Sequence, residues 1–236
     1  MLTVTFDDAS MAQFNHGFEI VRDLEIPGSV FVVSGFAEDA ANGDYSRRKG
    51  FIPMGWDHIR EFHAIGWEIA SHSQTHPHLW DLAPDAVERE LTASKAQIEQ
   101  NTGTSPVSFA SPYGHFNEAV VEQIKQHYGA HARAWGGAEG FNVIGQTDPH
   151  LISRLDVLDH MDAEFICGKI DRAIARGNWL VLIFHEFVDG PPEEFQLSKA
   201  EFATMMRCAR DRADDDALRL VTLKEGADLS REAGTQ

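Results

Sequence analysis

Positive charge is scarce in this 236-residue sequence: 20 lysines and arginines stand against 37 aspartates and glutamates, a net charge of −17. A nucleic-acid binder needs basic surface to neutralise phosphates, so that class of partner is set aside. A strongly anionic polymer is disfavoured as a substrate too, unless the site itself is locally positive. Long apolar runs are also missing, with nothing near the roughly 18 consecutive apolar residues of a membrane span. There are only two cysteines, Cys167 and Cys208. Neither has a CxxC partner, which excludes a thiolate zinc site and leaves both a disulfide and two free thiols open. No GxGxxG follows the first strand, which weakens a dinucleotide site. Repeats and low-complexity segments are absent. No basic segment followed by an apolar one opens the chain, so the expected location is cytoplasmic as encoded, or secreted or periplasmic if the start is truncated.

What remains alternates between short apolar runs and helical patterns. The expected strands are Leu2–Phe6, Ser29–Val33, Trp67–Ser71, Val107–Ala110, Ala130–Ala134, Leu155–Leu158, Trp179–Phe184 and Leu218–Leu223. They are short and several are rich in Val, Ile and Phe, as buried parallel strands are. Between them, Val87, Leu91 and Ile98 share one face of a helix that starts near Pro84 and stops at Gly103. Asn117 suits the N-cap of a helix carrying Val120, Val121 and Ile124, and Gly177 ends the stripe of Ile166, Ile170 and Ala173. About seven or eight strands alternating with helices suit a (β/α) barrel, with a doubly wound open sheet as the competing architecture. The organisation expected is one domain over 1–227 and a polar tail over 228–236.

In a parallel α/β fold, active sites gather where strands end. The first strand is followed by Asp7 and Asp8, the third by His72-Ser73-Gln74-Thr75-His76, the fourth by Ser111-Pro112-Tyr113-Gly114, and the seventh by His185. Polar groups of catalytic type therefore land on one rim. His72 and His76, four apart, would project to one side of a helical turn, although Pro77 keeps that turn short. Neighbouring carboxylates at a strand end diverge, so one of Asp7 and Asp8 can ligate a metal while the other stays free as a base. Two imidazoles and a carboxylate suit Zn²⁺, with Co²⁺ and Ni²⁺ as alternatives, and leave one coordination position open for water. His185, across the rim, is placed to protonate a leaving group.

With these residues in place the chain resembles the polysaccharide deacetylase family, the NodB-homology group of carbohydrate esterases. Phe6-Asp7-Asp8 is similar to that family's first motif, His72-Ser73-Gln74-Thr75-His76 to its second and Leu182-Ile183-Phe184-His185 to its last, while Ala110-Ser111-Pro112-Tyr113 meets the third in part. The resemblance implies a distorted (β/α) barrel of about seven strands. It implies a metal held by Asp8, His72 and His76, Asp7 as general base, His185 as general acid, and the Tyr113 N–H as an oxyanion donor. The implied activity is a metal-dependent hydrolase removing acetyl groups from N- or O-acetylated saccharides. The alternative is hydrolysis of a small amide or imide. One departure stands out: the family's third motif carries an arginine that orients the base, and here that position is Ala110. Arg133 and Arg154 are the candidates to supply it. Trp80 and Trp135 are candidate sugar-stacking faces, weighed against an ordinary packing role.

Overall fold

β1 (Leu2–Phe6) and β9 (Asn178–Phe184) are buried along nearly their whole length and pair in parallel, Leu2 opposite Leu180 through Phe6 opposite Phe184. Strands covered on both faces read as continuous apolar runs, which is why both are legible. In this computed structural model, which describes residues 1–46, 50–133 and 139–235, the other strands are β2 (Gly28–Val32), β3 (Glu68–Ser71), β4 (Ser108–Ala110), β5 (Ala130–Arg133), β6 (Phe141–Val143), β7 (Ile152–Ser153), β8 (Leu155–Asp156), β10 (Glu186–Val188) and β11 (Gln196–Ser198). Ala134, the last residue of the fifth expected strand, lies outside the described residues. The helices are α1 (Glu19–Asp23), α2 (Ser34–Ala41), α3 (Trp56–Ala64), α4 (Pro84–Thr102), α5 (Glu118–His127), α6 (Ala163–Arg176), α7 (Lys199–Asp214) and α8 (Leu223–Gly234).

The main sheet runs β6-β9-β1-β2-β3-β4-β5-β7, and β8 returns to pair with β9. β7 and β8 are one extended segment interrupted at Arg154, its first half on β5 and its second on β9. That segment closes the ring. Counted once, it joins β9, β1, β2, β3, β4 and β5 in a distorted barrel, with β6 antiparallel on the first half of β9. Phe31, Ala70, Ala110, Ala132, Ile152 and Val181 fill the inside. The alternate residues Val4, Phe6, Val30, Val32, Ile69 and Leu182 face the helices and form the larger core.

The C-terminal segment departs from expectation. Only Leu220 of the expected strand Leu218–Leu223 bridges β1, at Leu2. Thr222 then caps α8, its hydroxyl accepting from the Glu225 N–H while the Glu225 side chain accepts from the Thr222 N–H. This reciprocal cap starts a helix where apolar content alone suggests a strand. The expected polar tail, 228–236, is helical through Gly234, with Ser230 buried. Leu223 and Ala227 pack under the barrel interior against Trp179. A Cβ at Gly226 would lie 2.4 Å from the Trp179 ring, so only glycine lets α8 seat this closely. Cys167 on α6 and Cys208 on α7 are disulfide-paired, their Cα atoms 6.1 Å apart.

Candidate active site

The β1–β9 register ends with Phe6 beside Phe184, so Asp7 and His185 emerge next to one another, and the Asp7 N–H donates to the Phe184 carbonyl at 3.2 Å. After Asp7 the chain turns sharply, with Asp8 at φ 74° and Ala9 at φ 54°. The two carboxylates diverge as expected. Asp7 turns to Arg154, which grips it with Nη1 to Oδ1 at 2.6 Å and Nη2 to Oδ2 at 2.8 Å. Arg154 also donates to Thr5 Oγ1 at 3.2 Å and lies over the Phe31 ring at 4.9 Å. Burial pushes the Asp7 carboxyl up, but Arg154, with His72 and His185, outweighs it and brings it down to about 2. Asp7 is therefore ionised at any ordinary pH. Arg133, the other candidate, donates to the Leu151 carbonyl instead.

Asp8 faces the histidines. Its Oδ1 is 3.2 Å from His76 Nε2 and 3.7 Å from His72 Nε2. Two ligands on a tetrahedral ion with bonds of ~2.0–2.1 Å stand about 3.3 Å apart, so this spacing suits a shared cation. Other features fit as well. Asp8, His72 and His76 form a metal-compatible group with ligand atoms within 4.8 Å of one another. Asp8 Oδ1 and His76 Nδ1 are buried without a hydrogen-bond partner. His72 Nδ1 lies 2.8 Å from the Ala110 carbonyl, which can only accept. The ring proton is therefore on Nδ1, and the Nε2 lone pair faces Asp8. Burial lowers His72 to about 4, which keeps it neutral and ready to ligate.

The pair is not set by a helical turn. Residues 72–76 form an irregular loop with Ser73 at φ 66° and His76 at φ 57°. Ser73 Oγ accepts the His76 N–H at 3.0 Å. Glu90, on α4, accepts the N–H groups of Gln74 and Thr75 at 2.9 and 2.8 Å and the Thr75 hydroxyl at 2.6 Å. Strained backbone needs such external support, and here it comes from the second turn of α4.

Asp7, Asp8, His72, His76, Tyr113, Arg154 and His185 all line one cavity of about 540 Å³, with Phe51, Ile183 and Phe195 among its walls. Tyr113 sits at φ 59°, a left-handed conformation. The sequence reading missed three supporting residues. Asp156 lies 3.8 Å from His185 Nδ1, and burial raises its carboxyl. Its signal was the two-residue step from Arg154, which puts both side chains on one face of the closing segment. Gln13 Nε2 donates to the Asp7 and His185 carbonyls at 2.6 Å each, tying the two strand ends together. Glu90 is the third. Glu90 reaches the Gln74–Thr75 segment from 15 or 16 residues away, and Gln13 reaches the His185 carbonyl from 172 away, so neither contact leaves a local signal. Trp80 lies beside the site in an aromatic cluster, and Trp135 is outside the described residues.

Residues 1–131 match the family described as polysaccharide deacetylase. Over 57 residues, 24% of this chain, the sequence is 39% identical to the uncharacterized protein YlxY of Bacillus subtilis (strain 168). That stretch spans only 18% of the relative's length. Among solved structures, the family 4 carbohydrate esterase from Streptomyces lividans in complex with acetate shares the fold at TM-score 0.60 and 18% identity, over 95% of this chain and 94% of that one. Peptidoglycan deacetylase PdaC from Bacillus subtilis does so at TM-score 0.61 and 14% identity, over 98% and 92%. The Streptococcus pyogenes deacetylase PplD in complex with acetate matches at TM-score 0.61 and 19% identity, over 71% and 69%. The three solved structures bear on architecture. With a family match that covers more than half its length and a barrel of the same type, the chain belongs to the polysaccharide deacetylase family.

Proposed function

We propose that this chain is a metal-dependent hydrolase that removes acetyl groups from N- or O-acetylated saccharides, with Asp8, His72 and His76 as ligands, Asp7 as base and His185 as acid. The observation that carries the reading is the convergence of Asp8, His72 and His76 in the same cavity as Asp7 and His185. A divalent cation held there supplies Lewis-acid polarisation of the acetyl carbonyl and lowers the pKa of water at the site. Asp7, ionised and fixed by Arg154, accepts the proton of the attacking water. The Tyr113 N–H donates to the carbonyl oxygen as it takes up negative charge, a type of contact typically worth ~3 kcal/mol. His185 donates a proton to the departing amine or alcohol, and acetate leaves. Asp156 lies 3.8 Å from Nδ1 of that imidazole. Solved relatives described in complex with acetate support an acetyl group as the one transferred.

Chelation tests the reading. Protein stripped with EDTA should release no acetate from N-acetylglucosamine oligomers or acetylated xylan, and Zn²⁺, Co²⁺ or Ni²⁺ should restore release. Release indifferent to chelator would sink the metal-dependent mechanism. Cleavage of small amides or imides without acetate from any saccharide would replace the substrate class.

A further inference from the structure

Asp7 and His185 leave paired strands side by side, and each of their backbone carbonyls needs a donor. Two acceptors cannot bond one another. Gln13 meets both: its Nε2 donates to the Asp7 and His185 carbonyls at 2.6 Å each, and the Phe184 carbonyl lies 3.2 Å from the same nitrogen. A carboxamide is the neutral side-chain group that carries two N–H donors on one atom, so it suits a pair of facing carbonyls. Its orientation is fixed at the other end, where Oε1 accepts the Ser10 N–H at 2.9 Å. Ser10 follows the tight turn of Asp8 and Ala9, so one side chain links the segments that carry Asp7, Asp8 and His185. Gln13 is fully buried and opens a π-helical stretch, Gln13–Phe18. Such wide turns are rare and recur at functional sites.

The two side chains differ in how they are held. Asp7 is gripped at both oxygens by Arg154. His185 has no such clamp: its Nδ1 is buried without a hydrogen-bond partner, and Asp156 Oδ1, at 3.8 Å, is too far for one. Phe195 meets the imidazole edge-on at 5.5 Å, with no polar contact. The ring is therefore placed largely from its backbone. We propose that Gln13 is a positioning residue for His185: by holding the His185 carbonyl beside that of Asp7, its amide fixes the proton donor at a set separation from the base. This role rests on the deacetylase reading above, in which His185 protonates the departing group. Loss of the amide frees the His185 segment while Arg154 still holds Asp7, so proton donation suffers more than proton abstraction.

Leaving groups separate the two roles. A sugar amine or alcohol departs with a proton from the acid, whereas 4-nitrophenolate departs without one. Gln13→Met keeps the side-chain length and removes both donors. On the N-acetylglucosamine pentamer or acetylated xylan, whichever the parent protein deacetylates, its kcat at saturating Zn²⁺ should fall about thirty- to a hundredfold, with KM within about twofold of the parent's. On 4-nitrophenyl acetate the fall should be less than about fivefold. Gln13→Glu is isosteric and still accepts from Ser10, but it offers at most one proton to the two carbonyls. It should show the same split, and it carries the test if thermal unfolding shows that the Met variant does not fold. An equal loss on both substrates, as a general loosening of the fold gives, would overturn the proposal. So would a saccharide kcat equal to the parent's. A parent protein that releases no acetate from saccharide or aryl ester with metal present would instead remove the deacetylase reading, and the role of Gln13 with it.

Discussion

Arg154 grips Asp7 from a different part of the chain than the one where the related motif carries its arginine. The related motif places its orienting arginine at the end of β4, where this chain has Ala110, fully buried among the interior residues of the barrel. Arg154 enters the same interior from the seam between β7 and β8 and packs over Phe31, a member of that cluster. Removing Arg154 leaves a buried carboxylate without its main counter-charge, so burial then dominates and the Asp7 pKa rises. The expected result for Arg154→Ala is a drop in kcat of about a hundredfold, as a misplaced base gives. The acid limb of kcat/KM should also move to higher pH, with bound metal retained. Ala110→Arg in that background should recover part of both. Pre-steady-state and pH-rate measurements check this, and an unmoved acid limb would remove Arg154 from the mechanism.

Among elements, the loop that carries His72 and His76 is held by α4. Sequence spacing puts the two histidines together, but not the means: positive φ at Ser73 and His76 breaks any helical turn, and Glu90 binds the loop from outside. Such support around ligands typically governs metal affinity about ten- to hundredfold. Glu90→Ala should therefore raise the Kd for Zn²⁺ by that factor, read by competition with a chelating dye. At saturating metal, kcat should fall less than threefold, roughly, since no reacting group is removed. A Kd equal to that of the parent protein would show that the loop holds itself. The opposite case is α8. There local chemistry, the reciprocal Thr222–Glu225 cap, lies in the sequence beside apolar residues at 218, 220, 221 and 223 and starts a helix despite them.

Across the whole molecule, buried ionisable groups set the response to acid. His131 is fully buried on β5; its Nδ1 lies 2.9 Å from the His150 carbonyl and its Nε2 2.8 Å from Ser111 Oγ. Burial drives it down to about 3 from an ordinary 6.5, against the opposing hydrogen bond to His150. Between those values the unfolded chain binds a proton that the folded protein refuses, so stability falls as pH drops from 6.5 toward 3. Asp7 adds a second loss lower down, as pH falls from its ordinary 3.8 through about 2. Thermal unfolding in EDTA, which removes any contribution from metal loss, should show the midpoint declining from pH 6.5 downward. His131→Asn should flatten that decline relative to its own midpoint at neutral pH. A slope identical to the parent's would assign the acid sensitivity elsewhere.

The sequence by itself determined the strands that line the barrel and the residues that follow them. Apolar runs such as Leu2–Phe6 and Trp179–Phe184 are buried on both faces, and chemistry at strand ends follows from topology. Asp7, Asp8, His72, His76, Tyr113 and His185 were therefore visible as a set and do share one cavity. Only the tertiary structure decided between Arg154 and Arg133, and only it placed Asp156 beside His185 and Gln13 across two strand ends. These contacts join residues up to 172 positions apart. Register and ring closure bring them together, and neither leaves a mark in local sequence pattern.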